Sequence, residues 1–308
     1  MAPAKINLSL RVLSRRPDGY HEISSVMQAI SFYDEVGVTF EEPGGGRAGG
    51  FFVGLRCSDS AVPVDGTNLA SRAAYLLRES VDAELAGVVE IDLVKRIPMA
   101  AGLAGGSADA AAVLLALARL WNLRAGVSEL AALGRRLGAD VPFCVHACAA
   151  VSPGAAPLAS PRPATTAMLA EGVGERLAPA AGAAPGSPVL LVKPDVEVST
   201  AGVYGAFDAA APGEDLRAPG APDAQAALRG QPCGNDLQPV TAALHPVVAD
   251  TLAALCEICG TAAKVQMSGS GPTVFALFEN GESARAREAY EEAQEAFPGM
   301  RVLLAAAI

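Results

Sequence analysis

Hydrophobic and polar residues alternate almost from the first position. Ile6, Leu8, Leu10 and Val12 share one face of residues 4–12 and Lys5, Asn7 and Ser9 the other, which predicts a strand. Residues 23–42 read as strand again, with the glycines at 44–46, 49 and 50 as a loose hairpin connection. Thr67 and Asn68 then offer a cap for a helix that turns Leu69, Ala73, Leu76 and Leu77 inward. Val89, Ile91 and Leu93 alternate with Glu90, Asp92 and Val94, so another strand runs toward Pro98, which cannot donate to a ladder. From Ala110 to Trp121 helix formers are unbroken, and Leu114, Leu117 and Trp121 recur at helical spacing. Ser128 and Gly138 bracket one more helix.

The pattern changes between Ser152 and Pro188, where seven prolines sit among Ala, Gly, Ser and Thr. This stretch reads as a surface excursion and domain boundary. Beyond it, residues 189–193, 246–259, 262–267, 273–278, 283–297 and 301–307 predict β-α-β-β-α-β, a ferredoxin-like arrangement. The fold expected is α+β, with an N-terminal domain at 1–150, an insertion and linker at 151–188, and a C-terminal domain at 189–308. At 308 residues the chain is long enough for two cores.

Composition narrows the function classes. With 51% hydrophobic and 18% charged residues, a disordered chain is excluded. The net charge of −10 leaves no basic stripe to neutralise nucleic-acid phosphates. No apolar run reaches membrane-spanning length and no leader pattern opens the chain, so a cytoplasmic protein with no membrane partner is expected. The six cysteines are irregularly spaced and read as reduced thiols. Cys256 and Cys259 form a C-x-x-C, and Cys144 and Cys148 lie four apart, which is zinc-like spacing. Cys256 and Cys259 share an apolar helical face with Leu252 and Leu255, however, and are expected to be core residues, so no metal site is predicted.

The candidate chemistry gathers on loops. Pro98-Met99-Ala100-Ala101-Gly102-Leu103-Ala104-Gly105-Gly106-Ser107-Ala108 joins a strand to a helix. A helix start presents unpaired N–H groups and a positive dipole end, and glycines let an anion approach the backbone, so the loop suits phosphate. No Gly-Lys-Ser/Thr closes it, its spacing is not Gly-x-Gly-x-x-Gly, and no His-Arg-Asp or Asp-Phe-Gly occurs. A nucleotide held here is held in a fold other than the P-loop, Rossmann or protein-kinase folds. A second glycine loop, Met267-Ser268-Gly269-Ser270-Gly271-Pro272, is too rich in hydroxyls and N–H donors for a plain hairpin.

Three side-chain positions add to this. Lys5 is one of four lysines against nineteen arginines, and a compact, rotatable point charge suits a phosphate or a reacting hydroxyl. A solvated strand face is the alternative. Tyr20-His21, after the turn Pro17-Asp18-Gly19, offers an aromatic face and a ring with two nitrogens, enough to stack on and hydrogen-bond a flat heterocycle. Asp140 stands between a helix stop and an apparently extended Val141-Pro142 step, either as a fixed catalytic carboxylate or as a turn cap.

Together, Pro3-Ala4-Lys5-Ile6-Asn7-Leu8, the Pro98–Ser107 loop and Met267–Pro272 resemble the GHMP kinase family, named for galactokinase, homoserine, mevalonate and phosphomevalonate kinases. The resemblance implies a two-domain fold, with an N-terminal domain like domain 2 of ribosomal protein S5 before the ferredoxin-like one. It also implies an ATP-dependent small-molecule kinase using Mg2+. Lys5 and Asp140 would be catalytic, Asp140 as the base, and Asn7 would position the acceptor. Residues 98–108 would wrap the ATP phosphates, Asn68 would lie on the adenine side, and Ser268, Gly269, Ser270 and Gly271 would close the site. Arg16–Glu22, Leu137–Phe143 and Glu171–Glu175 look most like the member whose acceptor is a cytidine diphosphate-linked polyol, with Tyr20 and His21 on the cytosine. The alternatives are a homoserine- or mevalonate-type kinase, or a catalytically silent nucleotide-binding regulator, in a monomer or homodimer. Residues 151–166 depart from the family pattern and are expected to be an irregular insertion irrelevant to chemistry.

Overall fold

The computed structural model describes residues 1–42, 50–82, 84–152, 166–210 and 234–308. The glycine connection expected at 44–49, and all but the ends of the insertion expected at 151–166, lie outside the described residues. Packing divides the chain into two units, neither of them a simple half. One holds Met1–Ala4, Phe32–Met99 and Ala104–Ala164; the other holds Lys5–Ser31, Ala100–Leu103 and Thr165–Ile308. The division passes through the first glycine loop, between Leu103 and Ala104.

In the first unit, β3 (Phe51–Cys57) runs parallel to β4 (Gly87–Val94), and β4 pairs antiparallel with Glu35–Glu41 of β2 (His21–Glu41), so β4 lies between β2 and β3 and the two are not the hairpin expected. The alternation read from β4 holds, with Val89, Ile91 and Leu93 buried and Val88 and Val94 exposed. Four helices accompany this sheet: α1 (Leu69–Val81), α2 (Gly105–Leu120), α3 (Val127–Gly134) and α4 (Val141–Val151). α2 is buried nearly all round, from Ala108 through Ala118, as a central helix must be. Phe51 sits edge-on to Tyr75 and Trp121 and carries the Arg78 guanidinium over its face, closing the far end of this core.

α4 corrects the extended step expected after Asp140. Pro142 lies in the first turn of the helix, where its missing N–H is no loss and its fixed φ is already helical. α3 begins at Gly126 rather than at Ser128, and the Gly126 N–H donates to Glu129 Oε2 at 2.7 Å.

In the second unit, β7 (Pro188–Lys193), β8 (Ala263–Met267), β9 (Val274–Phe278) and β10 (Arg301–Ala306) form an antiparallel sheet in the order β10-β7-β9-β8, the ferredoxin-like order. Leu190, Val192, Val274, Ala276 and Phe278 pack with Val248 and Leu255 of one helix (Pro246–Cys259) and Ala286, Ala289 and Ala293 of another (Ser283–Ala296). Cys259 is buried as expected, but Cys256 is exposed, because a helix of this amphipathicity has room for only one of the pair inward.

Four elements escaped the sequence pattern. In chain order after α4, two helices at Thr200–Ala210 (α5) and Gln238–Leu244 (α6) precede the ferredoxin-like helices, which become α7 and α8. The proline-rich segment also contains β5 (Met168–Gly172) and β6 (Arg176–Pro179), with β5 paired to Ile23–Met27 of β2. Five-residue strands bounded by glycine turns carry too little alternation to stand out from such a composition.

β1 (Ala2–Arg15) pairs with β2 and is buried on both faces over its first nine residues. Its polar side chains are therefore not a solvated face: Lys5 is 3% and Asn7 1% exposed.

Candidate active site

Each unit contributes its own group of candidate residues. In the second unit a polar chain runs along the inner face of β1. Lys5 Nζ donates to Asn7 Oδ1 at 2.6 Å, Asn7 Nδ2 to Ser25 Oγ at 2.8 Å, and Ser25 Oγ to the Ser9 carbonyl at 2.5 Å. Every link is buried, so the rotamers of Lys5 and Asn7 are fixed before any ligand arrives.

The two glycine loops meet beside this chain. The Lys5 N–H donates to the Leu103 carbonyl at 3.1 Å, and Ser268 Oγ donates to the Gly102 carbonyl at 2.9 Å. Gly102 has φ +73°, and a Cβ there would fall 2.4 Å from the Ser268 carbonyl oxygen. Only glycine permits both this backbone conformation and this approach. A Cβ on Gly269 would stand 3.5 Å from both Asn7 Oδ1 and Lys5 Nζ. Residues 268–271 are held from behind, where Asn235 Nδ2 donates to the Met267 and Gly269 carbonyls (2.9 and 2.7 Å) and Thr241 Oγ1 to the Ser270 carbonyl (3.1 Å). Gln266 Nε2 ties the same region to the Asn7 carbonyl at 3.1 Å. The structure thus brings Lys5, Asn7, Gly102, Leu103 and Ser268–Gly271 together. Asn235, Thr241 and Gln266 were missed by sequence reading, since their role is to bond backbone far away along the chain.

The second unit also carries the expected heterocycle grip. Pro17-Asp18-Gly19 is a turn, with Gly19 at φ +86° and Asp18 Oδ1 accepting the Tyr20 N–H at 3.1 Å. Tyr20 is 64% exposed, while His21 is buried, its ring stacked on Tyr204 at 4.7 Å between centroids. His21 Nε2 lies 2.7 Å from Asp208 Oδ1. Tyr204 and Asp208 are four apart on α5, a helix the sequence pattern did not reveal.

In the first unit, Asp140 is half-buried at the N-cap of α4, where its backbone carbonyl accepts from Cys144 at 3.0 Å and its side chain does not cap the helix. The turn-cap alternative for its carboxylate is therefore set aside. Asn68 is a working cap: Oδ1 accepts from Ala70 at 2.9 Å and Nδ2 donates to the Pro63 carbonyl at 2.7 Å. Its amide donor is thus committed to backbone. Ala104, Gly105, Gly106, Ser107 and Ala108 form the start of α2, and Pro98 and Met99 lead into the loop. No acidic side chain occupies the first turn of α2, so its dipole end stays positive.

Directly behind this start lies an ion cluster that sequence reading missed. Lys95 Nζ bridges Asp34 and Asp109, at 2.7 Å from Asp109 Oδ2, and Asp34 Oδ1 accepts the N–H groups of Arg96 and Ile97 at 2.6 and 2.8 Å. A Cβ on Gly105 would stand 3.3 Å from Lys95 Nζ, so the cluster touches the turn that begins α2. The two carboxylates outweigh burial and raise the Lys95 pKa. The Asp109 carboxyl is pushed up to about 7, by burial and by Asp34, against the pull of Lys95. Between its ordinary 3.8 and about 7 the unfolded chain sheds this proton before the folded one does, so unfolding free energy falls as pH rises across that window and levels off above it. Asp109→Asn is expected to flatten that slope, measured by urea titration at about pH 5 and about pH 8. An unaltered slope would rule out Asp109 as its source.

Comparison with known proteins places these features in a family. The model described as GHMP kinases N terminal domain matches residues 68–148, and that described as GHMP kinases C terminal matches 210–299. A 4-diphosphocytidyl-2-C-methyl-D-erythritol kinase of Brevibacillus brevis is 41% identical over 288 residues, covering 90% of this chain and 86% of that protein. One from Synechococcus sp. (strain JA-3-3Ab) is 41% identical over 301 residues, covering 94% and 87%. The solved structure of a 4-(cytidine 5'-diphospho)-2C-methyl-D-erythritol kinase superposes with a TM-score of 0.72 at 34% identity, covering 99% of this chain and 97% of that one.

Proposed function

This chain belongs to the GHMP kinase family of ATP-dependent phosphotransferases, and we propose that it transfers the γ-phosphoryl group of ATP to the 2-hydroxyl of 4-diphosphocytidyl-2-C-methyl-D-erythritol. The observation that carries the mechanism is the placement of Lys5, a buried, pre-oriented cation beside both glycine loops. Phosphoryl transfer asks for positioning and charge stabilisation more than for covalent chemistry. The backbone of residues 98–108 receives the phosphates at the positive end of α2, and Ser268–Gly271 covers them.

Asp140 accepts the proton of the acceptor hydroxyl. Lys5 and Asn7, the latter locked by Ser25, orient the hydroxyl. Tyr20 and His21 hold the cytosine. Ser107, at the start of α2, is a hard oxygen donor of the kind Mg2+ takes and would hold an ion brought in with the nucleotide. That ion neutralises charge on the β- and γ-phosphates when bound.

The test is ADP release from Mg·ATP with diphosphocytidyl-methylerythritol, mevalonate and homoserine offered in parallel. Turnover on the cytidyl conjugate alone is the expected result. Turnover on mevalonate or homoserine instead would keep the fold and remove the role given to Tyr20 and His21.

A further inference from the structure

His21 has a neighbour whose chemistry fixes which of its nitrogens carries hydrogen. Tyr204 and Asp208 lie one turn apart on α5 and so share a helix face. Tyr204 stacks on the imidazole with 25° between planes, and Asp208 Oδ1 is 2.7 Å from Nε2. The other carboxylate oxygen, Oδ2, forms an ion pair with Arg15 Nε at 3.4 Å. An ionised carboxylate only accepts hydrogen bonds, so Nε2 must donate, and in the neutral ring the lone pair is left on Nδ1. Among the described residues no hydrogen bond reaches Nδ1.

We propose that Asp208 is a positioning residue that sets pyrimidine specificity: by holding His21 as the Nε2–H tautomer it makes Nδ1 an acceptor, which takes an exocyclic amino group and turns away a carbonyl oxygen. This deepens, and rests on, the acceptor assignment made above. A cytosine presents a 4-amino donor where uracil presents a 4-oxo acceptor, so the two bases are told apart by one lone pair. Sequence alone could not place this pair, because the two residues are 187 positions apart.

Two measurements on the full chain test it. The first reads the tautomer of His21 in the ligand-free enzyme by 15N–1H multiple-bond correlation; only three histidines are present, and the His21→Gln spectrum assigns the signal. The Nε2–H form is expected in wild type and a mixture of tautomers in Asp208→Asn, whose amide can either accept or donate. The second compares kcat/KM for the cytidine and uridine diphosphate conjugates of methylerythritol. Asp208→Asn is expected to narrow the preference for cytidine by about tenfold or more, through KM of the conjugates rather than kcat, with Asp208→Glu restoring it. An unchanged preference, or an equal loss on both conjugates, overturns the proposal. Should wild type turn over neither conjugate, the acceptor assignment falls. The tautomer then decides alone: loss of the Nε2–H form in Asp208→Asn upholds Asp208 as its determinant, and retention overturns it.

Discussion

Asp140→Asn is expected to lower kcat by about 10²–10⁴-fold, the range that a positioned general base contributes. The KM for ATP should stay within about threefold, since the phosphate-binding backbone is untouched. The substitution is nearly isosteric and the side chain does not cap α4, so the fold should survive it. On the mechanism proposed above, what is lost is the group that takes the acceptor proton as the phosphoryl group arrives. Steady-state kinetics on the cytidyl conjugate, with circular dichroism to check the fold, measure this. A kcat near wild type would take the base role from Asp140, because no remaining effect of the substitution could mask so large a loss.

Gly102→Ala is expected to cost about 3 kcal/mol of stability, combining the strain of an L-residue at positive φ with a displaced backbone. The clash is not one that a flexible side chain can relieve. The added Cβ would fall 2.4 Å from the Ser268 carbonyl oxygen and 3.0 Å from that of Gly271, so one glycine loop must move off the other. A shift of about 1 Å at a phosphate-positioning loop is worth about 100-fold in kcat/KM. Gly260→Ala separates the two effects, since Gly260 has φ +55° but nothing within 4 Å of its would-be Cβ. That control should show about 1–3 kcal/mol of strain and unaltered kinetics. Equal kinetic losses in both variants would mean that the contact between the loops does not matter to catalysis.

The ferredoxin-like half was legible because its two 14-residue helices are amphipathic and its five- and six-residue strands are apolar runs rich in Val, Leu and Phe, set between them in order. The glycine loops and β1 were legible because backbone-level anion binding demands glycine and helix-start chemistry in a fixed local order. α4 was misread at Val141-Pro142, where proline signals either an extended step or a first helical turn, and only tertiary context chooses. The Lys95–Asp34–Asp109 cluster, Asn235 and Asp208 were invisible for a different reason. Their partners lie between 14 and 187 residues away, and nothing local marks a charged or amide side chain as destined for burial. Asn68 was legible as a cap because capping is a local pattern, and it holds that role.

The interleaving of the two units has a consequence for how the protein is made. Lys5 and Asn7 leave the ribosome well before the groups that seal their strand, which come much later in the chain. Leu10 donates to the Gly234 carbonyl, and the Asn7 carbonyl accepts from Gln266. At ordinary rates of synthesis, the catalytic strand waits on the order of tens of seconds for its partners. Over that interval Ile6, Leu8 and Leu10 are an exposed β-prone segment, the kind that pairs wrongly with a neighbouring chain. Yield of the active enzyme should therefore depend on the speed of translation and on chaperone supply, even where the finished protein is stable.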